Sequence, residues 1–171
     1  MRNRSHELLE ILVGLIGDLT ISVNLIRECE SKSYMHKPEL RTRRQCIWRL
    51  CFSSIVINCC KYVELNRKYS QEFKEYTPEL NKLRGQFNEK ITSNKSLLLL
   101  RDDYIAHVNS KRTKNCLTPH EVQVHIVNMI GGDNATEFLD WICPEDFDSC
   151  NPNDSLVGVV LQLRDSLASK L

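Results

Sequence analysis

The stretch LLEILVGLIGDLTISVNLI, residues 8–26, decides the fold class. Its aliphatic residues recur every three or four positions, the spacing that places side chains on one face of an α-helix. The repeat consists of Leu8, Leu12, Leu15, Ile16, Leu19, Val23 and Ile26. A long helix with one apolar stripe needs other helices to cover it. The stretch therefore predicts an all-α protein whose first helix runs from about Ser5 to Tyr34.

Further helix signals follow along the chain. Pro38 marks the start of a second helix that reaches about Tyr69. Its middle, CIWRLCFSSIVINCC (46–60), is apolar on most sides and is expected to be the most buried segment. A third helix begins at Thr77, with Pro78 in its first turn, so helices continue into the second half of the chain.

Three more helices are predicted in that second half. The fourth contains LLLLRDDYIAHVNSK (97–111). The fifth starts at Thr118-Pro119-His120-Glu121, which has the residues of a capping box, and ends at Gly131-Gly132. The last follows an irregular segment (143–154) and carries a stripe of Leu156, Val160, Leu163 and Leu167. We predict a single domain, 1–171, folded as an up-and-down bundle of about five to six helices.

Composition narrows the classes of function. The net charge of +1 means that any affinity for nucleic acid must come from a local basic patch. The start MRNR resembles a signal peptide, but acidic residues interrupt the apolar run and no small-residue cleavage site follows. No run of 18 uncharged apolar residues occurs, so we expect no membrane segment and a cytoplasmic protein.

The eight cysteines and the paired histidines do not predict a metal site. No cysteines form a C-x-x-C pair, and five lie in apolar helical stretches, where a thiol acts as a small hydrophobe. Reduced thiols are expected, with a Cys143–Cys150 disulfide as the open alternative. His120 and His125 are five positions apart, which places them on different faces of a helix. We expect no metal and no cofactor.

A basic cluster surrounds Trp48 and allows two interpretations. It comprises Arg41, Arg43, Arg44 and Arg49. Arginines beside an aromatic side chain suit a nucleic-acid backbone and a stacked base. The same pattern also suits a solvated helix face whose tryptophan turns into the core. The sequence leaves both interpretations open.

The segment 97–111 is where the sequence suggests chemistry. Leu97 precedes Arg101 by four residues and Tyr104 follows it by three, so Arg101 should share their buried face. A buried charge needs a partner or an interface. One interpretation is simple pairing of Arg101 with Asp102 or Asp103.

The other interpretation joins Arg101 to His107. An arginine that grips phosphate and a histidine that moves protons at neutral pH suit RNA cleavage without a metal. Asp103, four residues before His107, could orient its imidazole. On an ideal helix Arg101 and His107 point about 120° apart. Convergence therefore needs a distortion near Ala106, long side chains, or a second chain.

The arrangement resembles the motif of the HEPN superfamily of all-α proteins, and is most similar to its abortive-infection branch. That motif is an arginine, a polar residue and, after four to six intervening positions, a histidine that often follows alanine. Arg101, Asp102, Ala106 and His107 match it. Val108 and Asn109 stand where the branch paired with nucleotidyltransferase antitoxins has a tyrosine.

The resemblance implies a homodimer with the two motifs facing each other, and metal-independent endoribonuclease activity of a toxin or antiviral type. Catalytic roles then fall to Arg101, His107 and Asp102. We expect RNA contacts from Tyr104, Asn109, Lys111, Arg112 and Lys114, and an antitoxin or regulatory protein as a possible partner. The alternative is a non-catalytic helical dimer that serves as an interaction or regulatory module.

Overall fold

Helices account for every regular element in residues 3–105, 116–132 and 134–171, the part of the chain that this computed structural model describes. Short 3₁₀ turns connect several of them, at Ser33–His36, Pro38–Leu40, Pro78–Leu80 and Pro152–Asp154. The eight α-helices in these ranges are α1 (Arg4–Ser31), α2 (Arg41–Lys68), α3 (Ser70–Tyr76), α4 (Asn81–Ser93), α5 (Lys95–Leu100), α6 (Pro119–Ile130), α7 (Thr136–Ile142) and α8 (Leu156–Ala168).

The all-α prediction is confirmed, but the predicted number of five to six helices is too low. The two helices that sequence reasoning missed, α3 and α7, each contain seven residues. Seven residues make just under two helical turns in total, which is too short for an apolar repeat to be recognised. In α3, Phe73 is the one buried aliphatic or aromatic side chain.

The antiparallel pair of α1 and α2 forms the centre of the fold. Ser22 Oγ donates to Ser54 Oγ at 2.8 Å near the middle of the pair. At one end the Arg4 guanidinium donates to the Lys68 carbonyl at 2.8 Å. The predicted stripe of α1 is buried except for Ile16, which is partly buried, and it packs against α2 and α8.

The helix α2 is not the most buried segment, contrary to expectation. Its outer side exposes Leu50 to 67% and Ile57 to 41%. All five residues of 156–160, at the start of α8, are buried instead. Helix α8 packs against α1, α3, α4 and α7, so its start is enclosed by the core, whereas α2 leaves part of its outer side exposed.

Two stretches, Arg4–Ser31 and Pro38–Lys68, are long and apolar enough to cross a membrane. Core helices of soluble proteins meet the same criteria of length and composition. Here the two stretches pack against each other through their buried faces. The expectation of a cytoplasmic protein without a membrane segment stays a prediction.

None of the cysteines, all of which lie in the described ranges, forms a disulfide. Cys143 is buried and Cys150 is exposed, so the alternative of a disulfide between them is not realised. Burial raises the pKa of the Cys59 thiol, which is completely enclosed by the core. Such a thiol is neutral and packs as a small apolar group.

The capping box predicted for α6 is confirmed. The Glu121 amide donates to Thr118 Oγ1 at 3.2 Å, and the Thr118 amide donates to Glu121 Oε2 at 2.7 Å. At the other end Gly131 adopts a φ of 85°, a left-handed conformation that glycine tolerates best. These caps determine where α6 begins and ends, and the helix packs against α5.

We expect Thr118→Ala to lower the free energy of unfolding by about 1 kcal/mol, since the helix end loses its side-chain acceptor. Thr118→Ser keeps the hydroxyl and is the matched control, expected to behave as wild type. Urea denaturation followed by circular dichroism measures both variants. Equal stability of the alanine and serine variants would contradict the role given to the cap.

Candidate functional site

The motif arginine lies in a wide helical turn. Helix α5 ends at Leu100, and Arg101–Ile105 continues as a turn of π-helix, in which the backbone hydrogen bonds span one residue more than in an α-helix. Asn94 caps α5 by accepting from the Leu97 amide at 3.0 Å. The wide turn packs against α2. The candidate site is thus anchored on two helices.

Arg101 is paired with its neighbour. Its Nε donates to Asp102 Oδ1 at 2.7 Å, and the two side chains are 34% and 43% exposed. This is one of the pairings that sequence analysis left open. The hydrogen bond to Asp102 raises the pKa of Arg101, so the guanidinium stays charged at every working pH.

A second contact links Arg101 to the core. Its guanidinium lies near the thiol of Cys60 on α2, close enough for each group to shift the pKa of the other. Burial raises the pKa of Cys60, and the nearby guanidinium acts in the opposite direction. Arg101 therefore lies where the wide turn packs on α2, and part of its side chain faces solvent.

The predicted buried face is only partly correct. Leu97 is buried, but Arg101 and Tyr104 are half-buried, and Asp103 is buried instead. The reason is the wide turn, because an extra residue per hydrogen bond changes which side chains face the core. The helix is distorted at Arg101–Ile105, directly before the position where sequence analysis considered a distortion.

Several predicted site residues lie outside the described residues. They are Ala106, His107, Asn109, Lys111, Arg112 and Lys114. Arg101, Asp102 and Tyr104 are described. The structure brings Arg101 and Asp102 into contact, whereas Tyr104 faces a different surface feature.

That feature is a groove between α2, the wide turn and α6, called here the Trp48–Tyr104 groove. Its volume is about 700 Å³. Trp48, Phe52 and Tyr104 supply aromatic surface. Other residues that line the groove are apolar, polar or charged. They include Val122 and Ile126 of α6, the amides of Gln45 and Gln123, and the charged Glu30, Arg44 and Arg49.

Trp48 is held rigidly at this groove. Its Nε1 donates to Glu30 Oε1 at 2.6 Å, and its ring centroid lies 5.1 Å from that of Phe52. The indole is half-buried. Trp48 packs on the core, as one interpretation of the basic cluster expects, and it also contributes to an open surface. The nucleic-acid interpretation stays a prediction.

The arginines of the cluster separate into two groups. Arg44 and Arg49 line the groove, whereas Arg41 and Arg43 are exposed elsewhere on α2. Arg44 Nη1 donates to His36 Nδ1 at 2.6 Å, which fixes its orientation. Arg49 has a weak contact of 3.9 Å with the Cys46 sulfur. Sequence reasoning found the cluster but had no signal that placed Tyr104 beside it.

The two histidines of α6 are not brought together with other metal ligands. His120 is exposed, and His125 Nδ1 lies 3.5 Å from Ser96 Oγ. Among the described residues, no three side chains of the His, Cys, Asp or Glu type form a group that could hold a metal ion.

Comparison with known proteins identifies a similar solved structure. A solved structure, the integron cassette protein Vpc_cass2 from the mobile metagenome of V. paracholerae, matches with a TM-score of 0.87. The two sequences are 48% identical over 98% of each chain. The chain belongs to the same protein family as Vpc_cass2. No protein-family model and no curated protein matches it.

This relationship establishes the helical fold but carries no activity with it. The all-α architecture is shared with Vpc_cass2 over nearly the whole length of both chains. The resemblance to the HEPN superfamily rests on residues 101–107 and stays a prediction.

Proposed function

We propose that the protein is a metal-independent endoribonuclease that acts as a homodimer, in antiviral defence or as a toxin. The observation that carries this proposal is Arg101. It is a permanently charged guanidinium, 34% exposed, in a wide helical turn that leads directly to His107. Wide turns of this kind are frequent at functional sites.

Arg101 is suited to hold the scissile phosphate. A guanidinium presents several N–H groups in one plane and can bind two phosphate oxygens at once. The bond from Nε to Asp102 fixes that plane, and the contact with Cys60 anchors it to α2. In this scheme Asp102 is a positioning residue.

His107 is assigned the proton transfers. A base removes the proton of the ribose 2′-hydroxyl, and the 2′-oxygen attacks phosphorus as the bond to the 5′-oxygen breaks. An acid returns a proton to the leaving 5′-oxygen. Two histidines, one from each protomer of the dimer, supply the base and the acid. Lys111, Arg112 and Lys114 steer the RNA by charge.

An exposed apolar surface on the central helix pair supports the dimer. Four large aliphatic side chains lie within four residues of the Ser22–Ser54 hydrogen bond that joins α1 to α2. They are Ile21, Leu25, Leu50 and Ile57, exposed to 56%, 43%, 67% and 41%. Ile21 and Leu25 are four residues apart and Leu50 and Ile57 seven, so each pair lies on one face of its helix. Exposed apolar faces favour association with another protein chain. A second copy is the partner that the proposal requires.

A non-catalytic interaction module is the second candidate, and the pairing of Arg101 favours it. The carboxylate of Asp102 neutralises the guanidinium, which also lies near the buried thiol of Cys60. In that case Arg101 serves only to join the wide turn to α2. An interaction module should express freely, whereas an active toxin should be difficult to express without a partner.

RNA cleavage in EDTA tests the proposal. Purified protein is incubated with several classes of RNA, and the product ends are identified. Attack by the 2′-oxygen leaves a 2′,3′-cyclic phosphate and a 5′-hydroxyl, and EDTA should not slow it. Intact RNA throughout would favour the interaction module. Cleavage that stops in EDTA would refute a metal-independent reaction.

Two substitutions of Asp102 separate its charge from its positioning role. Asp102→Asn keeps an oxygen acceptor for Arg101 Nε and removes the competing negative charge, so RNA should bind about two- to fivefold more tightly. Asp102→Ala removes the acceptor, and cleavage should slow about tenfold as Arg101 loses its orientation. Binding is measured in a His107→Ala background to keep the RNA intact. Identical behaviour of both variants would contradict the positioning role.

A further inference from the structure

We propose that the Trp48–Tyr104 groove binds one nucleotide of the RNA strand whose scissile phosphate lies at Arg101. The inference rests on the proposed function and extends it to a second site. Arg101 and Tyr104 belong to the same five-residue turn. They are three residues apart, which at the rise of an α-helix is about 4.5 Å along the axis. A strand held at Arg101 therefore reaches the groove with the adjoining part of its chain.

The groove offers a rigid platform for a base. Trp48 is fixed by its bond to Glu30 and by its contact with Phe52, so it loses little freedom when a ligand binds. Tyr104 adds a second half-buried aromatic ring to the lining. Bases stack on such side chains with little dependence on sequence. The flanking Val122 and Ile126 exclude water from the edge of the stack.

The charges of the groove suit the phosphate of the same nucleotide. Arg49 is exposed, and its contact with Cys46 is weak at 3.9 Å. Its guanidinium is therefore free to rotate toward a bound phosphate. Arg44 lines the groove beside it, oriented by His36. Glu30 is the acidic residue of the lining, and it already accepts from Trp48 and faces Arg44 at 4.0 Å. Two guanidinium groups beside aromatic rings match a nucleotide better than an apolar peptide.

Tryptophan fluorescence can report binding at this groove, because the chain has two tryptophans and Trp48 is the one that lines it. Trp141 stacks on Phe87 at 5.8 Å and does not line the groove. In a His107→Ala background, Trp141→Phe leaves Trp48 as the fluorophore and Trp48→Phe leaves Trp141. The probe is single-stranded oligouridylate of about eight nucleotides. RNA should quench the first variant and leave the second unchanged. If Trp141→Phe does not fold, the signal of Trp48 is obtained by subtraction. It is the RNA-induced change in fluorescence of the His107→Ala protein minus that of its Trp48→Phe variant.

A matched pair of charge reversals tests the phosphate contact. Arg49→Glu and Arg43→Glu change the net charge equally, but Arg43 is exposed outside the lining. We expect Arg49→Glu to weaken RNA binding at least about tenfold and Arg43→Glu no more than about threefold. Trp48→Ala should also weaken binding about tenfold or more.

The outcomes separate this inference from the proposed function. Absence of quenching at Trp48, or equal effects of the two reversals, overturns the groove as an RNA site. If wild-type protein then still cleaves RNA in EDTA, the nuclease proposal stands without the groove. Quenching and loss of binding in Arg49→Glu, with no cleavage by wild type, support the groove and overturn the nuclease.

Discussion

Replacement of His107 by alanine should slow RNA cleavage by at least about 100-fold, the lower end of what a general acid or base contributes. The scheme assigns both proton transfers to this histidine, and alanine can perform neither. Arg101 and Asp102 remain in place, so RNA affinity should change by less than about threefold. Initial rates of cleavage in EDTA and fluorescence anisotropy with intact RNA measure the two effects separately.

Arg101→Lys provides the companion variant. Lysine keeps the positive charge but lacks the planar set of donors. The Arg101→Lys variant should therefore cleave RNA about 100-fold more slowly than wild type. Arg101→Ala removes the link to Asp102 and Cys60 as well, so it should also lower the thermal stability. Cleavage by His107→Ala at the wild-type rate would mean that another group or a contaminating enzyme cuts the RNA, and the motif argument would fail.

The parts of the fold that the sequence predicts are those governed by local rules. The stripe of α1, the apolar face of α8 and the capping box at Thr118 each depend on residues within one helix. Their periodicity and end signals act over three or four positions. The bounds of α1, α2 and α6 accordingly agree with the prediction to within a few residues, and the stripe predicted for the last helix lies within α8.

The candidate site depends on features that no local rule contains. A prediction of faces assumes 100° per residue, and the wide turn at Arg101–Ile105 breaks that assumption, so that Asp103 rather than Arg101 is buried. The contact of Arg101 with Cys60 joins two distant parts of the chain. The groove likewise brings Trp48 to Tyr104 through the packing of α2 against the wide turn. The two arginines that face the groove could not be distinguished from their neighbours by sequence.

Gly158→Ala is expected to lower the free energy of unfolding more than Thr118→Ala does. Gly158 lies in the first turn of α8, where its amide donates to Ser155 Oγ at 3.1 Å. A Cβ atom at this position would lie 2.2 Å from the Pro152 carbonyl oxygen and 2.9 Å from that residue's carbonyl carbon and Cα. All three are backbone atoms, so no side-chain rotation can relieve the overlap.

Neither side of that contact can move at low cost. Residues 155–160 are buried, which holds the start of α8 in the core. Pro152–Asp154 forms a 3₁₀ turn whose own geometry is fixed by the Asn151 side chain, which accepts from the Asn153 amide at 3.1 Å. We therefore expect a loss of about 3 kcal/mol or more in the free energy of unfolding. For a chain of this size the melting temperature should fall by about 6–12 °C.

Gly85→Ala is the matched control, because the chemical change is the same and the surroundings differ. Gly85 is exposed in the interior of α4, and an added Cβ would meet nothing within 4 Å. Alanine there should stabilise the protein by about 0.5–1 kcal/mol, since it restricts the unfolded chain and favours the helix. Differential scanning calorimetry should thus show opposite shifts for the two variants. A wild-type melting temperature for Gly158→Ala would mean that α8 does not pack against Pro152 as described, because a 2.2 Å approach to a backbone oxygen cannot be tolerated without movement.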